Sequence, residues 1–144
     1  MKTIRRQALL PFSAKQMFDL VDDIEKYPEF LPSCNDARIL ERTDKTVTAT
    51  LSVAKGGFAK EFTTRNTNQP YEKIAMELVM GPFKHLSGQW TFDALSESAC
   101  KIELVVKFEF SNPLTNLAFG AVFNQMAESF VDAFSKRARE VYAS

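Results

Sequence analysis

Ile102 to Val141 reads IELVVKFEFSNPLTNLAFGAVFNQMAESFVDAFSKRAREV, and its hydrophobic period changes once, at Asn112-Pro113. Before the break, Ile102, Leu104, Val106, Phe108 and Phe110 alternate with Lys101, Glu103, Lys107 and Glu109. That predicts a strand with one apolar and one solvated face. After the break, Asn112 stands as an N-cap and Pro113 at the first helical position, where its missing N–H costs nothing. A helical stripe follows, carried by Phe119, Val122, Phe123, Met126, Phe130, Phe134 and Val141. About thirty residues at this spacing make a helix of roughly 45 Å. Lys136, Arg137 and Arg139 in the last turns suit the negative end of its dipole.

The same period of two extends upstream. Val47, Ala49, Leu51 and Val53 alternate with threonines and Ser52, Gly56-Gly57 makes a turn, and Phe62 marks the next strand. Ile74, Met76, Leu78 and Met80 form another, Gly81-Pro82 breaks it, and Leu86, Gly88, Trp90 and Phe92 continue the pattern. Short turns between successive strands predict an antiparallel meander. Near the start, Ser13 and Gln16 have the spacing of a capping box, with Phe12 and Met17 as a hydrophobic staple. Met17, Leu20, Val21 and Ile24 then predict a short amphipathic helix that ends before Pro28. Two prolines hold Tyr27 to Cys34 as a stiff loop that carries Phe30 and Leu31.

These elements must bury the helix stripe on the apolar face of the sheet. The expected fold class is α+β: one domain over residues 1–144, a curved antiparallel sheet wrapped around a long C-terminal helix. A coiled sheet touches a straight helix along only part of its length. The space left over is either a cavity lined by Phe and Met or a closed core.

With 144 residues, 45 % of them hydrophobic and 25 % charged, the chain has the composition of a globular domain and needs no disulfide staple. Eighteen basic and eighteen acidic side chains cancel, which excludes nucleic-acid coating by bulk charge. Thirteen of the aromatic residues are Phe, so most aromatic area has no polar handle, as a Phe-rich core or a dry pocket requires. The two cysteines, Cys34 and Cys100, and the single histidine, His85, show no metal-ligand spacing and read as reduced thiols and a surface imidazole. The apolar stretch Ala8 to Phe12 is too short for a signal-peptide core, and no run is long enough to span a bilayer. A cytoplasmic location is expected.

No nucleophile with its base, phosphate loop or metal motif is present, so the chain reads as a non-enzyme. Glu61, Glu77 and Glu103 follow the solvent-face alternation. Arg5, Arg6, Lys136, Arg137 and Arg139 form one basic face if the two ends of the chain meet, or else are ordinary solvated charges.

Several strings resemble a known family: YPEFLPSC at Tyr27 to Cys34, FTTRN at Phe62 to Asn66, GPFKHLSGQWTF at Gly81 to Phe92, CKIEL at Cys100 to Leu104 and LAFGAVFNQMA at Leu117 to Ala127. They are similar to the START-like, helix-grip (Bet v 1-like) superfamily, which includes polyketide cyclases, and within it to the coenzyme-Q-binding and ribosome-association-toxin (RatA) branch. The resemblance covers nearly the whole chain. It implies a hydrophobic tunnel for an isoprenoid quinone such as ubiquinone, or another prenyl lipid, in support of respiration. For the toxin branch it implies binding to the large ribosomal subunit, which blocks subunit association and so translation initiation. Ser33 stands where the quinone carriers have tryptophan. The resemblance there is to the toxin branch, and the pocket mouth is less aromatic.

Quinone binding, the first expectation, needs an apolar tube. The inward parity of Phe62, Met76, Leu78, Trp90, Leu104, Val106 and Phe108 supplies it, with Phe119, Phe123, Met126 and Phe130 from the helix and Phe30 and Leu31 from the stiff loop. Ribosome binding, the alternative, needs phosphate-facing cations, for which Arg5, Arg6, Lys136, Arg137 and Arg139 are the candidates. No cofactor is required by either reading. A cyclase acting on aromatic polyketides rests on superfamily analogy alone and ranks last. Transient contact with a membrane surface fits a lipid handler, and the Lys and Glu of the exposed sheet face favour a monomer.

Overall fold

Strand β1 (Lys2–Leu10), helix α1 (Ala14–Asp22), strands β2 (Cys34–Arg42), β3 (Thr46–Lys55), β4 (Phe58–Gln69), β5 (Lys73–Met80), β6 (Phe83–Ser96) and β7 (Ala99–Phe110), and helix α2 (Pro113–Tyr142) follow one another along the chain. The computed structural model describes residues 1–143, and the side chains of all of these except Phe58, Thr115 and Asn116. The seven strands form one antiparallel sheet in the order β1-β7-β6-β5-β4-β3-β2. The meander runs from β2 to β7, and β1 closes its far edge by pairing Lys2 with Phe108 through Leu10 with Cys100.

Period-two alternation sets the inner face. In β7, Cys100, Ile102, Leu104, Val106 and Phe108 are buried, while Lys101, Glu103 and Lys107 between them reach water. The long β6 and β7 coil, and register shifts at Phe83/His85, Ala94/Ser96 and, between β4 and β5, Thr63/Thr64 sharpen the bend. Helix α2 lies along the concave face, with Phe119, Val122, Phe123, Met126, Ala127, Val131 and Phe134 buried. Val141, expected in the same stripe, is exposed, while Ala138 and Tyr142 take the core side of the last turns.

The capping box at Ser13 is present: its Oγ accepts from the Gln16 amide at 3.0 Å, and Gln16 Oε1 accepts from the Ser13 amide at 2.8 Å. Such a cap stabilises a helix by about 1 kcal/mol. Helix α1 ends at Asp22, and a 3-10 helix, Ile24–Glu29, takes over with Pro28 inside it. The expected stiff loop is therefore partly helical. A 3-10 turn bonds over three residues, and a short one accepts a proline whose N–H is missing. Tyr142 fastens the end of α2 to α1, its hydroxyl donating to the Gln16 carbonyl at 3.0 Å.

Candidate functional site

Between the sheet and α2 lies a cavity with a free volume of about 60 Å³. Its floor is a cross-strand row, Asn66–Met76–Gly88–Val106, in which each residue is the register partner of the next. Ala49, Leu51, Phe62, Thr64, Leu86 and Trp90 extend the floor, Phe123, Ala127, Phe130 and Phe134 form the roof, and Ile24 and Tyr27 close one end. Gly88 has a steric reason: a Cβ there would lie 2.6 Å from Met76 Cε.

Of the residues expected to line a tube, Phe62, Met76, Trp90, Val106, Phe123 and Phe130 line this cavity. Leu31, Leu104, Phe108, Phe119 and Met126 are buried in the surrounding core, Leu78 is half-buried beyond the cavity, and Phe30 sits outside it against Phe134. Aromatic packing explains this division. One cluster joins Phe83, Phe108, Phe110, Phe119 and Phe123, with Phe83 and Phe108 each 4.9 Å from Phe123 by ring centroid. A second joins Tyr27, Phe30, Trp90 and Phe134, with centroid separations of 5.1–5.4 Å about Phe134. Phe123 and Phe134 are roughly 16 Å apart along the helix, and the cavity is the interval between the two clusters. Most of the Phe content therefore packs edge to face within the core.

The cavity is apolar except at one place. Thr64 and Asn66 share the inward parity of Phe62, and the Thr64 hydroxyl donates to Asn66 Oδ1 at 2.9 Å. Asn66 is only 7 % exposed. Sequence reasoning did not single out this pair, although the alternation that placed Phe62 inward also places positions 64 and 66. The Tyr27 hydroxyl is engaged by the Val21 carbonyl, and burial, aided by the Asp22 charge, holds its pKa far above the ordinary phenol value. Among the described residues, no Asp, Glu, His, Cys, Lys or Arg lines the cavity. His85 is exposed, with its ring nitrogen 3.3 Å from Ser87 Oγ, and the described residues contain no group of His, Cys, Asp and Glu able to hold a metal.

The expected basic face is distributed differently. Arg5 and Arg6 are neighbours in β1 and point to opposite faces of the sheet, Arg5 lying 3.2 Å from Glu103 on the convex side. Arg137 is bound to Glu29 at 2.7 Å. Lys136 and Arg139 remain on the outer side of α2, three residues apart, and carry no ion pair among the described residues.

The model of the family described as polyketide cyclase / dehydrase and lipid transport matches residues 10–135. A protein named ribosome association toxin RatA, from Escherichia coli, is 51 % identical over 144 residues, covering 100 % of this chain and 91 % of the relative. The mitochondrial coenzyme Q-binding protein COQ10 homolog B of Xenopus laevis is 28 % identical over 138 residues, covering 93 % of this chain and 57 % of that protein. Among solved structures, the Zhui aromatase/cyclase of a Streptomyces species superposes with a TM-score of 0.82 at 19 % identity, covering 99 % of this chain and 96 % of that one. Among the described residues no helix is long and apolar enough to cross a membrane. A curved antiparallel sheet closed over a long C-terminal helix, a cavity between them, and a family model matching most of the sequence agree: the chain belongs to the polyketide cyclase / dehydrase and lipid transport family, within the START-like fold.

Proposed function

We propose that this chain is a ribosome-association factor of the RatA type, which binds the large ribosomal subunit and keeps the subunits apart. The observation that carries this reading is the 51 % identity to a protein of that name over the full length of this chain. At that level both the core and the surface resemble the relative's, whereas the coenzyme Q-binding relative stands at 28 %. The reading is non-enzymatic, supported by a cavity without a titratable acid or base that could exchange protons near neutrality. It places the chain in the compartment that holds ribosomes. The test is to overexpress the chain and sediment the lysate through sucrose at low magnesium. Free subunits should accumulate at the expense of joined ribosomes, with the chain travelling with the large subunit. An unchanged profile from folded protein overturns the reading.

A second reading, a prenyl quinone held between sheet and helix, is favoured by the Thr64–Asn66 pair, a single polar point in an apolar cavity of the kind that would orient a carbonyl. The free volume of about 60 Å³ compares with roughly 300–1,000 Å³ for sites that enclose a drug-sized ligand. Such a ligand therefore requires α2 to separate from β3–β5. Protein purified under native conditions, extracted with organic solvent and analysed by mass spectrometry should yield about one quinone per chain on this reading. An empty extract from folded protein removes it.

A further inference from the structure

The outer face of α2 changes character along its length. Leu114, Leu117, Ala118 and Ala121 recur at the helical spacing on the side away from the core, and all four are exposed, the two leucines at 77 % each. Further along, the same side carries Gln125, Glu128, Asp132, Lys136 and Arg139. In its first turns the helix thus carries apolar side chains on its outer side as well as on the core side, which Phe119, Val122 and Phe123 fill. An apolar outer face of that kind is normally covered.

Two turns meet this end of the helix. The Ser111 amide donates to the Pro82 carbonyl at 3.1 Å, which brings the β5–β6 turn, with Met80 at 71 % exposure, beside the start of α2. Lys55 Nζ donates to Gln125 Oε1 at 3.0 Å, which brings in the β3–β4 turn. Lys55 and Lys60 occupy helix-side register positions of that hairpin, whereas Glu61 faces the other way and lies 2.9 Å from Arg38. No charged residue occurs between Asn112 and Ala127, and the nearby Glu109 is engaged by Lys84 at 3.5 Å.

We propose that this end of the molecule docks on an anionic lipid bilayer, with Leu114, Leu117 and Met80 at the boundary of headgroups and acyl chains and Lys55 and Lys60 against the phosphates. The charge pattern selects this occupant. Lysines flanking an apolar helix face whose first acidic residue comes only at Glu128 are the arrangement of an interfacial helix. A second copy meeting the same face about a twofold axis would bring like-charged lysines together. RNA offers nothing for the leucines.

The test is flotation of the full chain with vesicles of phosphatidylcholine alone and of an equal mixture with phosphatidylglycerol. Binding is expected to the mixed vesicles only. Lys55→Gln with Lys60→Gln should weaken it roughly 30-fold, at about fivefold per lysine, and Leu114→Ser with Leu117→Ser at least about tenfold. All four side chains are exposed, so thermal melting should not change. Absence of binding by folded wild-type chain overturns the proposal, as does full binding by the leucine variant. Loss of co-sedimentation with ribosomal subunits in that variant, with vesicles ignored by the wild type, also overturns it and assigns the surface to a ribosomal protein. Vesicles contain no ribosome, so success or failure here is separate from the ribosome reading.

Discussion

The guanidinium of Arg137 lies over the ring of Phe30, 5.1 Å from its centroid. The same group reaches Glu29 at 2.7 Å, so one side chain clamps α2 to the 3-10 helix that closes the cavity. Cation–ring contacts of this kind contribute about 0.5–1 kcal/mol and half-exposed ion pairs about 0.2–1 kcal/mol. Arg137→Ala should therefore lower stability in urea by about 1 kcal/mol, while Lys136→Ala, on the exposed side, should leave it unchanged. Equal effects would show that the clamp contributes nothing.

Gly88 and Met76 control the size of the cavity. A methyl group at Gly88 meets only the flexible end of Met76 among its close contacts, and that end can swing into the free volume. Gly88→Ala should leave the melting temperature within a few degrees of wild type and reduce binding of a small apolar probe such as xenon severalfold. Unchanged xenon binding would show that the gas occupies another site.

Gly81 has no such freedom. Its φ is +155°, and a Cβ would lie 2.7 Å from Phe62 Cβ and 3.2 Å from Phe62 Cα. Backbone cannot yield as a methionine tip does, and overpacking typically costs about 1–3 kcal/mol. Gly81→Ala should lower the unfolding free energy measured in urea by that amount, in contrast to Gly88→Ala.

Burial pushes the Cys34 thiol up from 9.0 to about 11, and burial raises Cys100 as well. Because the unfolded chain ionises first, this contribution to stability is complete below about pH 9 and is lost as pH rises through about 11. Tyr27 acts in the same direction. Denaturant midpoints should therefore decline from pH 9 upward. At pH near 8 a thiol reagent should label neither cysteine in the native protein and both in urea. Rapid native labelling would contradict the burial.

Alternation made β3–β7, their meander order and α2 legible, because a half-buried sheet and a one-sided helix write their periods into the sequence, whereas the place of β1 beside β7 was not readable from local pattern. The capping box at Ser13 and the turns at Gly56-Gly57 and Gly81-Pro82 were legible for the same local reasons. The cavity boundary was not. Leu104 and Val106 share a strand, a parity and a chemistry, yet Val106 lines the free space and Leu104 is fully buried outside it. That difference depends on where α2 crosses the sheet, which no local pattern records. The split of Arg5 from Arg6 was, by contrast, implicit in the strand itself: neighbouring residues face opposite ways.

Lys2 pairs with Phe108 and Leu10 with Cys100, so the first strand waits for the last before it has a partner. Helix α2, which covers the shared core, follows both in the chain. Such long sequence separations slow folding and leave the apolar face of the meander open in the meantime. During synthesis the chain thus acquires its binding surfaces only after nearly all of it has been made. On the proposed ribosome reading, the chain has no finished surface to present while it is still tethered to the ribosome producing it, and incomplete fragments expose apolar sheet to proteases.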